Sequence, residues 1–260
     1  MEIHFLRHAT FVITVNNLRI LVDPMLSEAE AMAPIANAGN QRRIPMVELP
    51  LPQTELEQLL QHIDAVIVTH THRDHWDARA QALLPKRLPI LCQPPDQAVI
   101  EQAGFTQVVP VTQHLEWHGL RIDRTGGQHG TGELGKKMGP VSGFVIQRAG
   151  EPTLYIAGDT VWCPEVQQAL EQFSPDVVIL YTGAASYVTG GGPITMSEKD
   201  VAQVCHALPT AQVIAIHMET INHCRLTRSA LKEKMTEEGL AARVLIPQDG
   251  ELITHPFTAI

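Results

Sequence analysis

The stretch Thr69-His70-Thr71-His72-Arg73-Asp74-His75-Trp76-Asp77 sets three imidazoles and a carboxylate within six residues. Neutral imidazole nitrogen beside anionic oxygen is a donor set suited to zinc and similar divalent metals. The stretch follows the apolar run Asp64-Ala65-Val66-Ile67-Val68-Thr69, which reads as a buried strand. Its side chains therefore emerge at the C-terminal end of a strand, and extended backbone turns His70 and His72 to the same side. Asp74 and His75 fall at the start of a helix expected over 76–84. Alone, Asp74 would read as a helix N-cap and each histidine as a surface polar group. H-x-H-x-D-H directly after a buried strand reads instead as a metal site, because the strand is the context that confirms the motif.

The elements that must hold this stretch alternate along the chain. Strands are expected over 3–7, 10–15 and 18–22. The last two are joined by Asn16-Asn17, which tolerate the positive φ of a tight hairpin. Residues 24–53 carry five prolines (24, 34, 45, 50 and 52) and break the rhythm, as a functional or lid-like segment would. Helices follow over 55–62, 76–84 and 96–103, the last closed by Gly104. Short strands are expected within 106–124, with a turn near His118-Gly119, then a Gly-rich loop over 126–139. Strands over 142–148, 153–157, 176–181, 213–216 and 243–246 alternate with helices over 165–173, 197–208 and 227–238. Ser197 is the expected N-cap of the second of these helices. Antiparallel strands and β/α units in both halves point to two mixed sheets packed face to face, with helices outside. No linker-like composition shift occurs, so 1–260 reads as a single domain.

Composition narrows the function. Hydrophobic residues make up 44% and charged residues 18%, which suits a large buried core rather than a disordered chain. The formal net charge of −9 and the absence of any Lys/Arg run beyond a pair argue against a nucleic-acid partner. No apolar run is long enough for membrane insertion, and the N-terminal residues are not a signal peptide. Four dispersed cysteines without C-x-x-C suit a reducing, cytoplasmic setting with neither a disulfide framework nor a thiolate metal site. Phosphate-loop, dinucleotide-binding and G-x-S-x-G motifs are absent.

The histidine stretch resembles the signature of the metallo-β-lactamase superfamily. The remaining parts of that pattern find matches in the same order along the chain. They are Asp23 in Ile20-Leu21-Val22-Asp23-Pro24, His129 in Gly126-Gly127-Gln128-His129-Gly130, Asp159 in Ala157-Gly158-Asp159-Thr160 and His217 in Ala215-Ile216-His217. The resemblance implies an α/β fold, a four-layer αβ/βα sandwich. It implies one metal at His70, His72 and His129, a second at Asp74, His75 and His217, and Asp159 bridging both. Asp23 would orient the histidine loop by hydrogen bonds. A bridging carboxylate resembles the dinuclear hydrolases of the superfamily rather than its thiolate-bearing, antibiotic-degrading members. His72 stands where oxygen-reducing diiron members carry Glu, which argues against redox chemistry. The segments Arg7-His8-Ala9-Thr10-Phe11, Asp23-Pro24 and Ala157-Gly158-Asp159-Thr160, with Cys163-Pro164 after them, are similar to a narrower branch. That branch holds L-ascorbate-6-phosphate lactonase and N-acyl-phosphatidylethanolamine phospholipase D.

The resulting expectation is an enzyme with two divalent ions, zinc first and manganese or iron also suited to these donors. A hydroxide held between the ions would hydrolyse an ester-like bond of a small molecule, a lactone or carboxylic ester, with Asp74 orienting the nucleophile and moving a proton. Two alternatives stand beside it: a phosphodiesterase for a small nucleotide or lipid head group, and a metal-binding module without catalysis. His8, after the first strand, is expected at the mouth of the site. His223, six residues past His217, is expected to contact substrate. Tyr181 and Tyr187 are candidates for an oxyanion hydrogen bond or for packing. Lys136 and Lys137 read as a solvated pair.

Overall fold

The structure is a computed structural model that describes residues 1–254; residues 255–260, the end of the span read as one domain, lie outside the described residues. The chain opens with strands β1 (Glu2–Arg7), β2 (Thr10–Val15) and β3 (Leu18–Val22), an antiparallel meander. Asn16 and Asn17 take φ of 50° and 60° in the expected hairpin. Helix α1 (Gln53–Gln61), β4 (Ala65–Val68), α2 (Ala78–Leu83), β5 (Ile90–Cys92), α3 (Gln97–Gln102) and β6 (Val108–Pro110) then extend the sheet through parallel pairings.

The second sheet begins with the antiparallel strands β7 (His114–Trp117) and β8 (Leu120–Thr125). After helix α4 (Gly132–Met138) come β9 (Gly143–Gln147) and β10 (Leu154–Ile156). Helix α5 (Pro164–Phe173), β11 (Val177–Tyr181), α6 (Glu198–Ala207), β12 (Gln212–Ile216), α7 (Arg228–Glu237) and β13 (Val244–Leu245) complete it. Strand β14 (Leu252–Ile253) returns to pair with β1. The orders are β14-β1-β2-β3-β4-β5-β6 and β13-β12-β11-β10-β9-β8-β7, seven strands each.

Four layers follow from where the apolar side chains go. Phe5, Phe11, Ile13 and Ile67 of the first sheet meet Phe144, Ile156, Ile179 and Ile214 of the second in a central core. Leu56, Leu60 and Ile100 of α1 and α3 cover the outer face of the first sheet over Val66 and Val68. Val166, Val204 and Leu231 of α5, α6 and α7 cover the second over Val178 and Val213. Strands buried on both faces need apolar residues at every position, and every residue of β4 and β11 is buried. The expected sandwich of two mixed sheets flanked by helices is the fold.

Several boundaries differ from expectation. The helix expected over 76–84 starts two residues later, because Asp77, not Asp74, is its N-cap. Asp77 accepts from Ala80 N at 2.7 Å and from Ser27 N at 2.7 Å. Asp74 is thereby left free to face inward. The Gly-rich stretch contains α4, which sequence reading missed. Gly135 lets its backbone close onto Gly130, where a Cβ would lie 2.5 Å from the Gly130 carbonyl oxygen. The short strands β5 and β14 were also unforeseen; each is defined by pairing with a distant strand. The irregular segment before α1 is pinned rather than free. Arg7, fully buried, donates to the carbonyls of Met25, Ser27 and Val47.

Replacing Asp77 removes the cap of α2 and a buried acceptor for Ser27. Asp77→Ala is expected to lower stability by about 2 kcal/mol, read from the midpoint of urea unfolding, with metal content unchanged. An unchanged midpoint would show that these two hydrogen bonds do not hold the segment.

Candidate metal centre

The site collects at the C-terminal ends of strands, where ligand sites form in open α/β sheets. Asp23 directly follows β3, His70 lies just past β4, Asp159 just past β10, and His217 directly follows β12. His129 comes from the segment between β8 and α4. Within the histidine stretch, the N–H groups of His75 and Trp76 both donate to His72 O at 2.9 Å. This turn swings Asp74 and His75 back beside His70, giving the two pairs of side chains a common direction.

Two groups of donors result. His70 Nε2 lies 2.9 Å and His129 Nε2 3.3 Å from His72 Nδ1. Asp74, His75 and His217 form the second group, joined by His8; in each group the donor atoms lie within 4.8 Å of one another. Asp159 sits between them. Its Oδ2 is 3.3 Å from His75 Nε2 and 3.4 Å from His129 Nε2, and its Oδ1 is 3.2 Å from His217 Nε2. The structure thus brings together His70, His72, Asp74, His75, His129, Asp159 and His217, in the two sets the sequence resemblance implied.

Hydrogen bonds fix which nitrogen carries the proton. His75 Nδ1 donates to Asp23 Oδ2 at 3.0 Å, and His129 Nδ1 to Ile194 O at 2.7 Å. His70 Nδ1 donates to Thr69 Oγ1 at 3.2 Å, whose own O–H is given to Asp23 Oδ2 at 2.7 Å. His70 and His129 therefore turn an unprotonated Nε2 inward, and His75 turns its Nε2 the same way. The Nε2 atoms of His75 and His217 approach to 3.3 Å, and Asp159 Oδ1 is buried without a hydrogen-bond donor. Converging lone pairs and an orphaned carboxylate oxygen are the complement of a cation. The residues fit divalent metal ions, through nitrogen and oxygen donors.

Electrostatics favour the same state. Burial holds His70 and His217 well below the usual histidine range, so both are neutral. Burial lowers His72 as well. Burial opposes ionisation of Asp74 and Asp159, but the imidazoles around them outweigh it and hold both carboxyls well below the usual range. His75 is the exception. Burial disfavours its charge, yet the carboxylates of Asp159 and Asp74 raise it well above ordinary histidine. A proton there offsets the two buried negative charges, a task a metal ion takes over when bound.

A cleft of about 190 Å³ opens onto these donors. Ile35, Met138, Tyr187 and His223 form its apolar and aromatic wall, and Arg73 stands at its edge. His223 lies in this wall, 6% exposed, with Nδ1 unpartnered. The chain reaches it by turning back through His217 and Glu219, at φ of 74° and 65°. His8 does not lie at the mouth. It is fully buried against His217, so it is corrected from a substrate contact to an interior residue. Tyr181 gives its hydroxyl to Asp23 Oδ2 at 2.9 Å and has none left for an oxyanion, whereas Tyr187 lines the cleft. Lys136 pairs with Glu133 at the surface and Lys137 is exposed. Sequence reading missed Asn222, which binds Ile35 N and the carbonyls of Ile35 and Asn40 and so fixes the cleft wall. Its position between two assigned histidines was the only signal.

The family described as the beta-lactamase superfamily domain matches residues 2–217. UPF0173 protein YddR of Bacillus subtilis is 35% identical over 257 residues, covering 98% of this chain and 100% of that one. The crystal structure of isothiocyanate hydrolase from Delia radicum gut bacteria is similar at 41% identity and a TM-score of 0.92, covering 98% of this chain and 99% of that one. A possible metal-dependent hydrolase from Veillonella parvula matches at 36% identity and a TM-score of 0.94, with the same coverage. With the family pattern matched over residues 2–217 and a relative 35% identical over nearly the whole of both chains, the chain belongs to the metallo-β-lactamase superfamily, among the UPF0173 metal-dependent hydrolases.

Proposed function

We propose that the chain is a dinuclear hydrolase that adds water to a small, uncharged carbon electrophile, with lactones and carboxylic esters as the first class. The observation that carries this reading is the carboxylate of Asp159, whose Oδ2 lies between His129 of one donor set and His75 of the other and whose Oδ1 faces His217. One ion would be held by His70, His72 and His129 and the other by Asp74, His75 and His217, with Asp159 available to both. Zinc is the first candidate, because imidazole and carboxylate suit it, and the same donors also suit manganese or iron. When bound, such ions acidify water to a pKa of about 7 and polarise the electrophile.

The chain's own residues do the remaining work. Asp74, held ionised at the inner end of the cleft, accepts a hydrogen bond from the attacking water and aligns it. His223 lines the cleft, and with no hydrogen-bond partner on its buried Nδ1 its ring is free to act as donor to the leaving group or the substrate. Ile35, Met138 and Tyr187 exclude water around a compact apolar substituent. The wall carries one cation, Arg73, whose Nη2 is already given to the carbonyls of Ala33 and Pro34. Beyond the ions themselves, the lining offers a phosphodiester no free basic side chain, so the phosphodiesterase reading is the weaker one.

A second electrophile has a specific observation in its favour. The isothiocyanate hydrolase is 41% identical over nearly the whole of both chains. Isothiocyanates are small, uncharged and carbon-electrophilic, as this cleft requires. Adding water across N=C of R–N=C=S gives a thiocarbamic acid, which breaks into an amine and carbonyl sulfide.

Turnover of γ-lactones, phenyl esters, benzyl isothiocyanate and bis(p-nitrophenyl) phosphate by metal-loaded protein ranks these classes. Hydrolysis of one or more of the first three is expected to exceed that of the phosphodiester by at least about 100-fold, the scale of one lost charged contact set. Fastest turnover of the phosphodiester would reverse the reading, and no turnover of any would favour a non-catalytic module.

Elemental analysis of loaded protein is expected to give two ions per chain. His70→Ala and Asp159→Ala should each abolish hydrolysis and lower metal content. His114→Ala, on the exposed face of β7, should change neither. Saturation at one ion would remove the bridging role of Asp159.

His223→Ala is expected to lower kcat/KM by on the order of 100-fold with both ions retained and the melting temperature nearly unchanged. A lower melting temperature with intact kinetics would make His223 a packing residue.

A further inference from the structure

His8 occupies a position that no substrate reaches and that a packing residue would not need. It sits at the bulged corner where β1 and β2 lose register, at φ +60°, a conformation disfavoured for a side chain other than glycine. It is fully buried. Its carbonyl accepts from His217 N at 2.9 Å, and its ring lies on the His217 ring with centroids 3.7 Å apart. Its Nε2 is 3.3 Å from Asp74 Oδ2, while its Nδ1 has no partner. A carboxylate can only accept, so the proton sits on Nε2. A nitrogen that carries the proton has no lone pair for a metal.

We propose that His8 is a positioning residue for the second donor set. It donates to Asp74 and backs the His217 ring, so that a terminal carboxylate and an imidazole from opposite sheets are held in one orientation before an ion arrives. This rests on the assignment of Asp74, His75 and His217 to an ion. The consequence is local: His8 sets the affinity of that position and leaves the position at His70, His72 and His129 unaffected. Supporting residues around metal ligands typically govern about 10–100-fold in affinity.

The test is chelator competition on the full chain with zinc and with cobalt, the latter read also from its visible d–d bands. In His8→Ala, one of the two ions is expected to bind about 10–100-fold more weakly, with the other unchanged. His8→Gln, whose amide N–H can reach Asp74, should recover most of that loss. His8→Phe, which keeps the ring but not the donor, should not. Equal affinities for both ions in wild type and His8→Ala would overturn the proposal, as would full recovery by His8→Phe. Should the variants fail to fold, the metal-loaded wild-type crystal structure decides alone. His8 Nε2 within hydrogen-bond distance of Asp74 and beyond 3 Å of any ion supports it, whereas a bond of about 2.0–2.1 Å to an ion makes His8 a ligand and overturns it. A wild-type chain that binds no ion at Asp74, His75 and His217 removes the underlying assignment, a result distinct from an unaffected His8→Ala.

Discussion

The carboxylate of Asp23 is the interaction on which the rest of the centre depends. It is fully buried with no Lys or Arg partner, and it accepts from Thr69 N and Thr69 Oγ1, from His75 Nδ1 and from Tyr181 Oη. A buried anion persists only where hydrogen bonds replace its lost hydration. Satisfying it therefore fixes the end of β3, the start of the histidine stretch, the tautomer of His75 and a tyrosine of the opposite sheet. Through Thr69 it also fixes His70. Two of the inward-facing nitrogens are thus oriented by one side chain that does not itself enter the donor set.

Backbone strain is found at the same place, at five of the eleven non-glycine positions with positive φ among the described residues. His8, Asp23, Ala184, His217 and Glu219 all take positive φ, each on a segment leaving a strand toward the centre. Such conformations cost on the order of 1–3 kcal/mol each for residues other than glycine. They persist because partners over-determine them. Thr10 Oγ1 donates to Asp23 O and accepts from Met25 N, and Glu219 accepts from Arg228 N and Nη1 at the start of α7. The strain lets a strand end point a side chain sideways into the seam between the sheets rather than along its own axis.

How much of this was legible in the sequence depended on how local each signal was. The histidine stretch was readable because its donors are separated by one or two residues, and the buried strand before it is an unbroken apolar run. Asp159 and His217 were readable only through their order and their place after apolar strands. Neither carries a local mark. Asp77 was misjudged as helix interior, since capping depends on where the helix begins and Trp76 had suggested an earlier start. Helix α4 was hidden by glycines that turn out to permit a close backbone approach. The depth of His8 was illegible, because its burial follows from the docking of His217 across the sandwich.

That docking sets a thermodynamic link between the fold and its metal. His70, His72, Asp74 and His75 leave the first sheet, whereas His129, Asp159 and His217 leave the second, so neither donor set is complete until the sheets have packed. The unfolded chain offers at most the local cluster in the histidine stretch. Ions that prefer the assembled donors must then stabilise the packed state in proportion to that preference. Without them, two ionised carboxylates and several facing lone pairs share a buried seam, with the proton on His75 as partial compensation. The central apolar core has to supply enough stability to hold that arrangement together. Phe5, Phe11, Phe144 and the facing isoleucines form that core between the sheets, so the same contact that builds the sandwich keeps its least favourable electrostatic region assembled and ready for a cation.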